Sequence, residues 1–212
     1  VDGHVYFVAN DGVFGTELWK TDGSESGTTL VSDINLGISN SNPSQLVNVN
    51  GVLFFRASDV FTGLELWKSD GSPEGTVLVK DIHSGNNASF PRSMTNAGGA
   101  LFFIANDGVH GDELWMSDGT TDGTVLIKDI RPGALGSNPT SITDFNGSVL
   151  FTANDGASGF EIWRSDGTPE GTVLVRDIRA GFEGSAPGSF VVFDNAVFFS
   201  ANDGVRGSEL WK

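Results

Sequence analysis

Hydropathy along this chain switches every few residues, and each switch falls at a turn-forming residue. Reading from Pro139, Thr140 to Phe145 is a short mixed run closed by Asn146-Gly147, a pair that favours a tight hairpin. Val149 to Ala153 is strongly apolar and leads into Asn154-Asp155-Gly156 and Gly159, a turn that needs positive φ. Glu161 to Ser165 is a third run, around Trp163, and Asp166-Gly167 with Gly171 turns the chain into a fourth, Thr172 to Ile178. A longer glycine-bearing loop, Arg179 to Pro187, then leads to the next run. No stretch carries a 3.6-residue apolar period with helix caps, so the pattern predicts consecutive short antiparallel strands.

The pattern is periodic. Tryptophans stand at Trp19, Trp67, Trp115, Trp163 and Trp211, each 48 residues from the last, with no insertion or deletion between them. The sequence is therefore one repeat array over 1–212, with units 1–48, 49–96, 97–144 and 145–192 and a partial unit 193–212. Four short strands per unit of this length predict an all-β fold, a β-propeller built of 48-residue four-stranded blades; an open stacked β-repeat array is the alternative. Phe7, Phe55, Phe103, Phe151 and Phe199 occupy equivalent places, each followed two residues later by Ala9, Ala57, Ala105, Ala153 or Ala201. A large ring beside a small side chain in every unit reads as packing between neighbouring sheets, and with the five tryptophans these phenylalanines form the expected repeat core. If the Thr140–Phe145 run is innermost, the chain opens on a second strand and stops on a third, so both end units lack a strand.

Composition narrows the setting. The 212 residues carry 27 Asp and Glu against 12 Lys and Arg, a formal charge of -15 that opposes binding to nucleic acid or anionic membranes. No apolar stretch is long enough for a membrane helix, so no membrane insertion is expected. There is no cysteine, hence no disulfide framework, and the sequence opens on Val1, which suggests a processed protein or a piece of a longer one.

The phrases Glu65-Leu66-Trp67-Lys68-Ser69-Asp70-Gly71 and Gly75-Thr76-Val77-Leu78-Val79-Lys80-Asp81-Ile82 resemble the ELWxxDGT repeat family, and the resemblance recurs in every unit. It implies a propeller-like unit in a large secreted or surface-associated bacterial protein, a family often labelled hyalin-like, and no established reaction. Two local departures are Thr29, where the other units have Val, and Val60-Phe61, which replaces the glycine-containing turn of the other copies. The Ser165-Asp166-Gly167 turn with Gly171-Thr172 is also similar to the Asp-box hairpins of sialidase propellers, which are structural.

Candidate chemistry is sparse. His4, His83 and His110 fall at unrelated places in the repeat, and no metalloprotease, nucleophile-elbow or phosphate-loop motif is present, so no catalytic residue is expected. Asp11, Asp59, Asp107, Asp155 and Asp203 share one turn; Asp22, Asp70, Asp118 and Asp166 share another; Asp33, Asp81, Asp129 and Asp177 end the fourth strand. Beside glycine, such carboxylates cap turn amides; the sharper reading makes the first set ligands of a calcium ion in each unit. Glu17, Glu65, Glu113, Glu161 and Glu209 precede each Leu-Trp or Ile-Trp pair and are expected to pair across strands with the basic residue after the tryptophan. The tryptophans, mid-strand, are expected in the core rather than stacked on sugars. Asn87-Ala88-Ser89 and Asn146-Gly147-Ser148 match the glycosylation acceptor rule.

These observations point to a non-enzymatic extracellular structural or adhesive protein, self-assembling through its incomplete terminal units, with other copies of itself or a surface glycan or protein as partners. The alternative is a glycan-binding or calcium-dependent propeller module that uses the variable loops ahead of Pro43, Pro91, Pro139 and Pro187.

Overall fold

The computed structural model describes residues 1 and 3–212 and contains eighteen strands and no helix among them. The first sheet is β1 (Val5–Asn10), β2 (Thr16–Thr21) and β3 (Thr29–Ser32). The second is β4 (Ser44–Val49), β5 (Val52–Asp59), β6 (Gly63–Ser69) and β7 (Val77–Lys80). The third is β8 (Arg92–Ala97), β9 (Ala100–Asn106), β10 (Asp112–Ser117) and β11 (Val125–Leu126), and the fourth is β12 (Thr140–Phe145), β13 (Ser148–Asn154), β14 (Phe160–Ser165) and β15 (Val173–Arg176). The last is β16 (Gly188–Phe193), β17 (Ala196–Asn202) and β18 (Ser208–Trp211). All pairs are antiparallel between sequence neighbours, so the sheets of three, four, four, four and three strands follow the expected strand order. Frames of 48 residues counted from Val1 cut through β4, β8, β12 and β16; the hydrogen bonding phases the sheets from Ser44, Arg92, Thr140 and Gly188 instead.

Neighbouring sheets meet along their first strands, with β4, β8, β12 and β16 standing next to one another in that order. Each of these strands carries a β-bulge near its start, where Gln45, Ser93, Ser141 or Ser189 takes positive φ. The extra residue bends and twists the strand at the point where the sheets crowd together.

The core is a series of layers between sheets. We call the side of a sheet that looks toward the next sheet its leading face and the opposite side its trailing face. Phe54 and Leu66 on the leading face of the second sheet pack with Leu101, Phe103, Ala105 and Trp115 on the trailing face of the third. Phe102 and Leu114 repeat this against Val149, Phe151, Ala153 and Trp163, and parallel clusters lie at the first and last junctions. Phe55, Phe103 and Phe151 are fully buried between sheets and their alanine partners likewise, whereas Phe7, Trp19 and Trp211 of the expected repeat core are only half-buried. Removing a ring of this size from water contributes about 1.5–3 kcal/mol at each position. No strand pair and no apolar cluster joins the first sheet to the last among the described residues.

Candidate functional site

The glutamates correct the sequence expectation. Glu17, Glu65, Glu113 and Glu161 are fully buried, and none forms an ion pair with a basic residue among the described residues. Glu65 accepts hydrogen bonds from the amides of Ser89 (2.9 Å), Ile82 (3.1 Å) and His83 (3.3 Å) and from the Ser89 hydroxyl (2.5 Å). Glu113 holds Ser137, Ile130 and Arg131 in the same way, and Glu161 holds Ser185, Ile178 and Arg179. Each carboxylate thus clamps both ends of the long loop that leaves its own sheet. The cross-strand pairing fails because the glutamate lies on the trailing face beneath its own loop, while Lys20 and Lys68 leave by the leading face and donate to the carbonyls of Gly71 and Gly119 in the next sheet. Burial raises the carboxyl of Glu65 above its ordinary value, opposed by the Ser89 hydroxyl and the loop amides, and Glu17 and Glu113 behave alike. The same clamp explains why the fourth strand is shorter than the apolar run suggested: β15 ends at Arg176 because the amides of Ile178 and Arg179 turn to Glu161.

The aspartates serve three local purposes. Oδ1 of Asp11 accepts the amides of Val13 and Phe14; that of Asp59 accepts those of Phe61 and Thr62; that of Asp107 accepts those of Val109 and His110. Asp155 and Asp203 cap their turns likewise. In the second set, Asp70 Oδ1 accepts both the amide and the hydroxyl of Ser72, whose oxygen in turn accepts the amide of Gly75. A side chain at Gly75 would collide with that carboxylate, so the glycine is fixed by the turn and not by φ. Ser69 and Thr76 close the turn through their hydroxyls, 2.8 Å apart. Amide donation holds the carboxyls of Asp11 and Asp203 below their ordinary values, and in the second set the hydroxyl of Ser24, Ser72, Thr120 or Thr168, followed by its amide, does the same for Asp22, Asp70, Asp118 and Asp166. In the third set, one oxygen of Asp33 and Asp81 accepts the amide of Gly37 or Gly85, and the other is buried without a partner among the described residues. No cluster of three or more metal-ligating side chains occurs among the described residues.

Trp67, Trp115 and Trp163 are at most 8% exposed, too covered to offer a ring face to a sugar. Ser89 of the first glycosylation tripeptide is buried with its hydroxyl on Glu65. His110 bonds to Asp107 at 2.7 Å, which raises its affinity for a proton, and His83 reaches the carbonyl of Ala88.

The turns between second and third strands and the long loops share one end of the molecule, since Thr16 bonds to Asn40, Ser41 and Asn42. Apolar side chains project there: Leu36, Ile38, Val60, Phe61, Leu135 and Phe182 are all exposed. His83 lies over Gly108, Arg131 over Gly156 and Arg179 over Gly204, each a long side chain resting on the glycine of the next turn. Where Val60 replaces that glycine the preceding loop supplies the shorter Asn35, and Asn35, Leu36, Val60 and Phe61 line a shallow groove. The exchange of His or Arg for Asn compensates the valine. The residues missed by sequence reasoning are Ser41, Ser89, Ser137 and Ser185; their constant place two residues before a proline was the available signal.

No helix among the described residues is long and apolar enough to cross a membrane. No family model matches the chain, and no curated protein matches it. Among solved structures it is similar to a chain from a study of two prolyl endopeptidases, at 12% identity and TM-score 0.55, covering 98% of this chain and 33% of that one. A puromycin hydrolase aligns at 15% identity and TM-score 0.49, over 93% of this chain and 31% of that one. An endo-arabinase from Bacteroides thetaiotaomicron aligns at 15% identity and TM-score 0.34, over 99% of this chain and 88% of that one. The chain thus spans about a third of the length of the first two, and at 12% identity the likeness to the prolyl endopeptidase chain is one of fold alone.

Proposed function

We propose that this chain is a non-enzymatic, extracellular structural or adhesive repeat protein of the ELWxxDGT type, its sheets being the blades of a propeller-like arc that associates through its end units. One observation carries the reading. Most of the repeated side chains that could do chemistry are engaged by the fold itself: Glu17, Glu65, Glu113 and Glu161 by loop amides and serines, the turn aspartates by their own backbones. A catalytic group needs a free reactive atom facing a substrate, and a repeated array has no reason to supply it once in every unit. Contact between neighbouring sheets concentrated on their first strands, β4 with β8, β8 with β12 and β12 with β16, supports blades over a flat stack. Light scattering of the purified chain across a concentration series tests it. Association that survives a chelator supports a protein-built scaffold, and a fixed monomer contradicts the assembly.

The loop face favours a second reading, a ligand-binding module. Phe61, 74% exposed beside Asn35 and Asp59, is an aromatic platform next to polar groups that no other unit reproduces. A glycan array probed with and without calcium decides it: no retained glycan in either arm removes this reading, and retention lost with chelator brings Asp11, Asp59, Asp107, Asp155 and Asp203 into play as calcium ligands.

A further inference from the structure

Repeat symmetry breaks at one junction on the loop face, and the break opens a groove. At three junctions a long side chain from one loop rests on the glycine of the next turn: His83 on Gly108, Arg131 on Gly156 and Arg179 on Gly204. Between the first and second sheets both partners differ, with Asn35 in place of the long side chain and Val60 in place of the glycine. The turn is rebuilt as well. Gly108 and Gly156 take φ of 82° and 86°, whereas Val60 does not take positive φ, and β5 and β6 pair one residue further, Asp59 with Gly63. Phe61 follows, where the other units carry Val13, Val109, Ala157 or Val205, and it stands 74% exposed. A drifting repeat would lose the cover or the glycine singly; here the two change together, and an aromatic ring joins them at the rim.

The atoms lining this groove select the ligand. Phe61 and Leu36 give it exposed apolar surface. Asp59 uses Oδ1 for the amides of Phe61 and Thr62 and for the Thr62 hydroxyl, and its Oδ2 accepts no hydrogen bond among the described residues. Asn35 donates Nδ2 to the carbonyl of Asn40, and its Oδ1 likewise accepts none among them. No basic side chain lines the groove. A ligand must therefore bring an apolar face for the ring and donors for two acceptors, one of them anionic. An aliphatic side chain supplies only the face and would strand the carboxylate. An acidic sugar sets like charge against Asp59 on a chain of net charge -15. We infer that this groove binds a glycan unit carrying a free, protonated amino group, its C–H face on Phe61 and its ammonium and hydroxyls donating to Asp59 Oδ2 and Asn35 Oδ1. The ring face attracts the cation, and the bond to the carboxylate is charge-assisted. The inference rests on the ligand-binding reading above and narrows it to cationic amino sugars.

Titration of the isotope-labelled chain with glucosamine, glucose and glucuronate, followed by amide chemical shifts, tests this. A chelator is present throughout, and the buffer is held at about pH 6, where a sugar amine is protonated. Glucosamine is expected to shift the amides of Leu36, Val60 and Phe61 and to bind about tenfold more tightly than glucose, with glucuronate weaker than both. Asp59→Asn keeps Oδ1 for the turn amides while removing the charge, and should abolish the preference for glucosamine. Phe61→Ala, at an exposed ring, should abolish binding of both neutral and cationic sugars. Asn35→Arg combined with Val60→Gly copies the arrangement of Arg131 over Gly156, closes the groove and should remove the shifts. Equal binding of glucosamine and glucose, or a preference that survives Asp59→Asn, overturns the amino-sugar inference and leaves the glycan reading standing. Shifts of equal size at the Asp107 and Asp155 turns reveal diffuse attraction to an acidic surface and overturn it too. No shift with any of the three sugars overturns the inference, and the glycan array decides separately whether the wider reading falls with it.

Discussion

The third sheet and the last are written in nearly the same words, yet only one of them is fully folded into its surroundings. Glu113-Leu114-Trp115 is buried to the last side chain, while in Glu209-Leu210-Trp211 the glutamate and leucine are exposed and the tryptophan half-covered. Glu113 has a loop to clamp, and no loop returns to Glu209 among the described residues. Leu126 of the fourth strand packs in the cluster around Trp115, while Trp211 is flanked by Val175, Ile178 and Val197, with the Arg176 guanidinium 5.6 Å from the centre of its ring. Identical phrases acquire different environments because burial here belongs to the junction between sheets, not to the sheet.

That contrast can be broken most forcefully at the rings. Phe103→Ala empties a site closed on both sides and is expected to lower unfolding stability by about 3–5 kcal/mol, whereas Phe7→Ala on the open first face lowers it by less than half as much. Urea titrations of the two variants give the difference. Next comes the clamp: Glu113→Gln puts a donor where loop amides also donate, and is expected to cost about 1–3 kcal/mol. The matching change at exposed Glu209 should stay within about 0.5 kcal/mol. A cost at Glu209 equal to that at Glu113 would place the value of the glutamate in the strand and not in the loop.

Smaller effects sharpen the same comparison. Lys68→Ala removes one bond to the next sheet and is expected to cost about 0.5–1.5 kcal/mol by thermal unfolding. The dependence on pH has a definite sign. The raised carboxyls of Glu17, Glu65 and Glu113 favour the protonated folded state, so their contribution is complete below 4.5, the ordinary glutamate value, and fades as pH rises through their folded values. The lowered turn aspartates act oppositely, present above 3.8 and lost as pH falls through their folded values. Melting temperature is therefore expected to hold or rise slightly from pH 7 to about 4.5 and to fall below 3.8. Replacing the three glutamates with glutamine should remove the rise.

Much of this was readable from spacing. Constant 48-residue intervals and turn chemistry gave the strand order, because each hairpin is closed by residues within it, such as Asp70, Ser72 and Gly75. Phe103 and Ala105 were legible as junction residues because period-two alternation failed there. The glutamate clamp was not legible: Glu65 and Ser89 lie 24 residues apart, and only the loop's return brings them to 2.5 Å. A carboxylate two residues before a tryptophan reads locally as a strand-surface charge. The pairing of Asn35 with Val60 was equally hidden, since it joins adjacent sheets across 25 residues whose contact depends on how sheets stack.

Hydrogen exchange resolved by strand, on the dilute monomer, tests the central claim most directly. Amides of β9 and β13, covered on both faces, are expected to exchange slowest, with those of β1 and β18 faster because one side lacks a neighbour. Equal protection of β1, β9 and β18 would contradict the account, showing that each sheet is stable by itself and that the junctions add little.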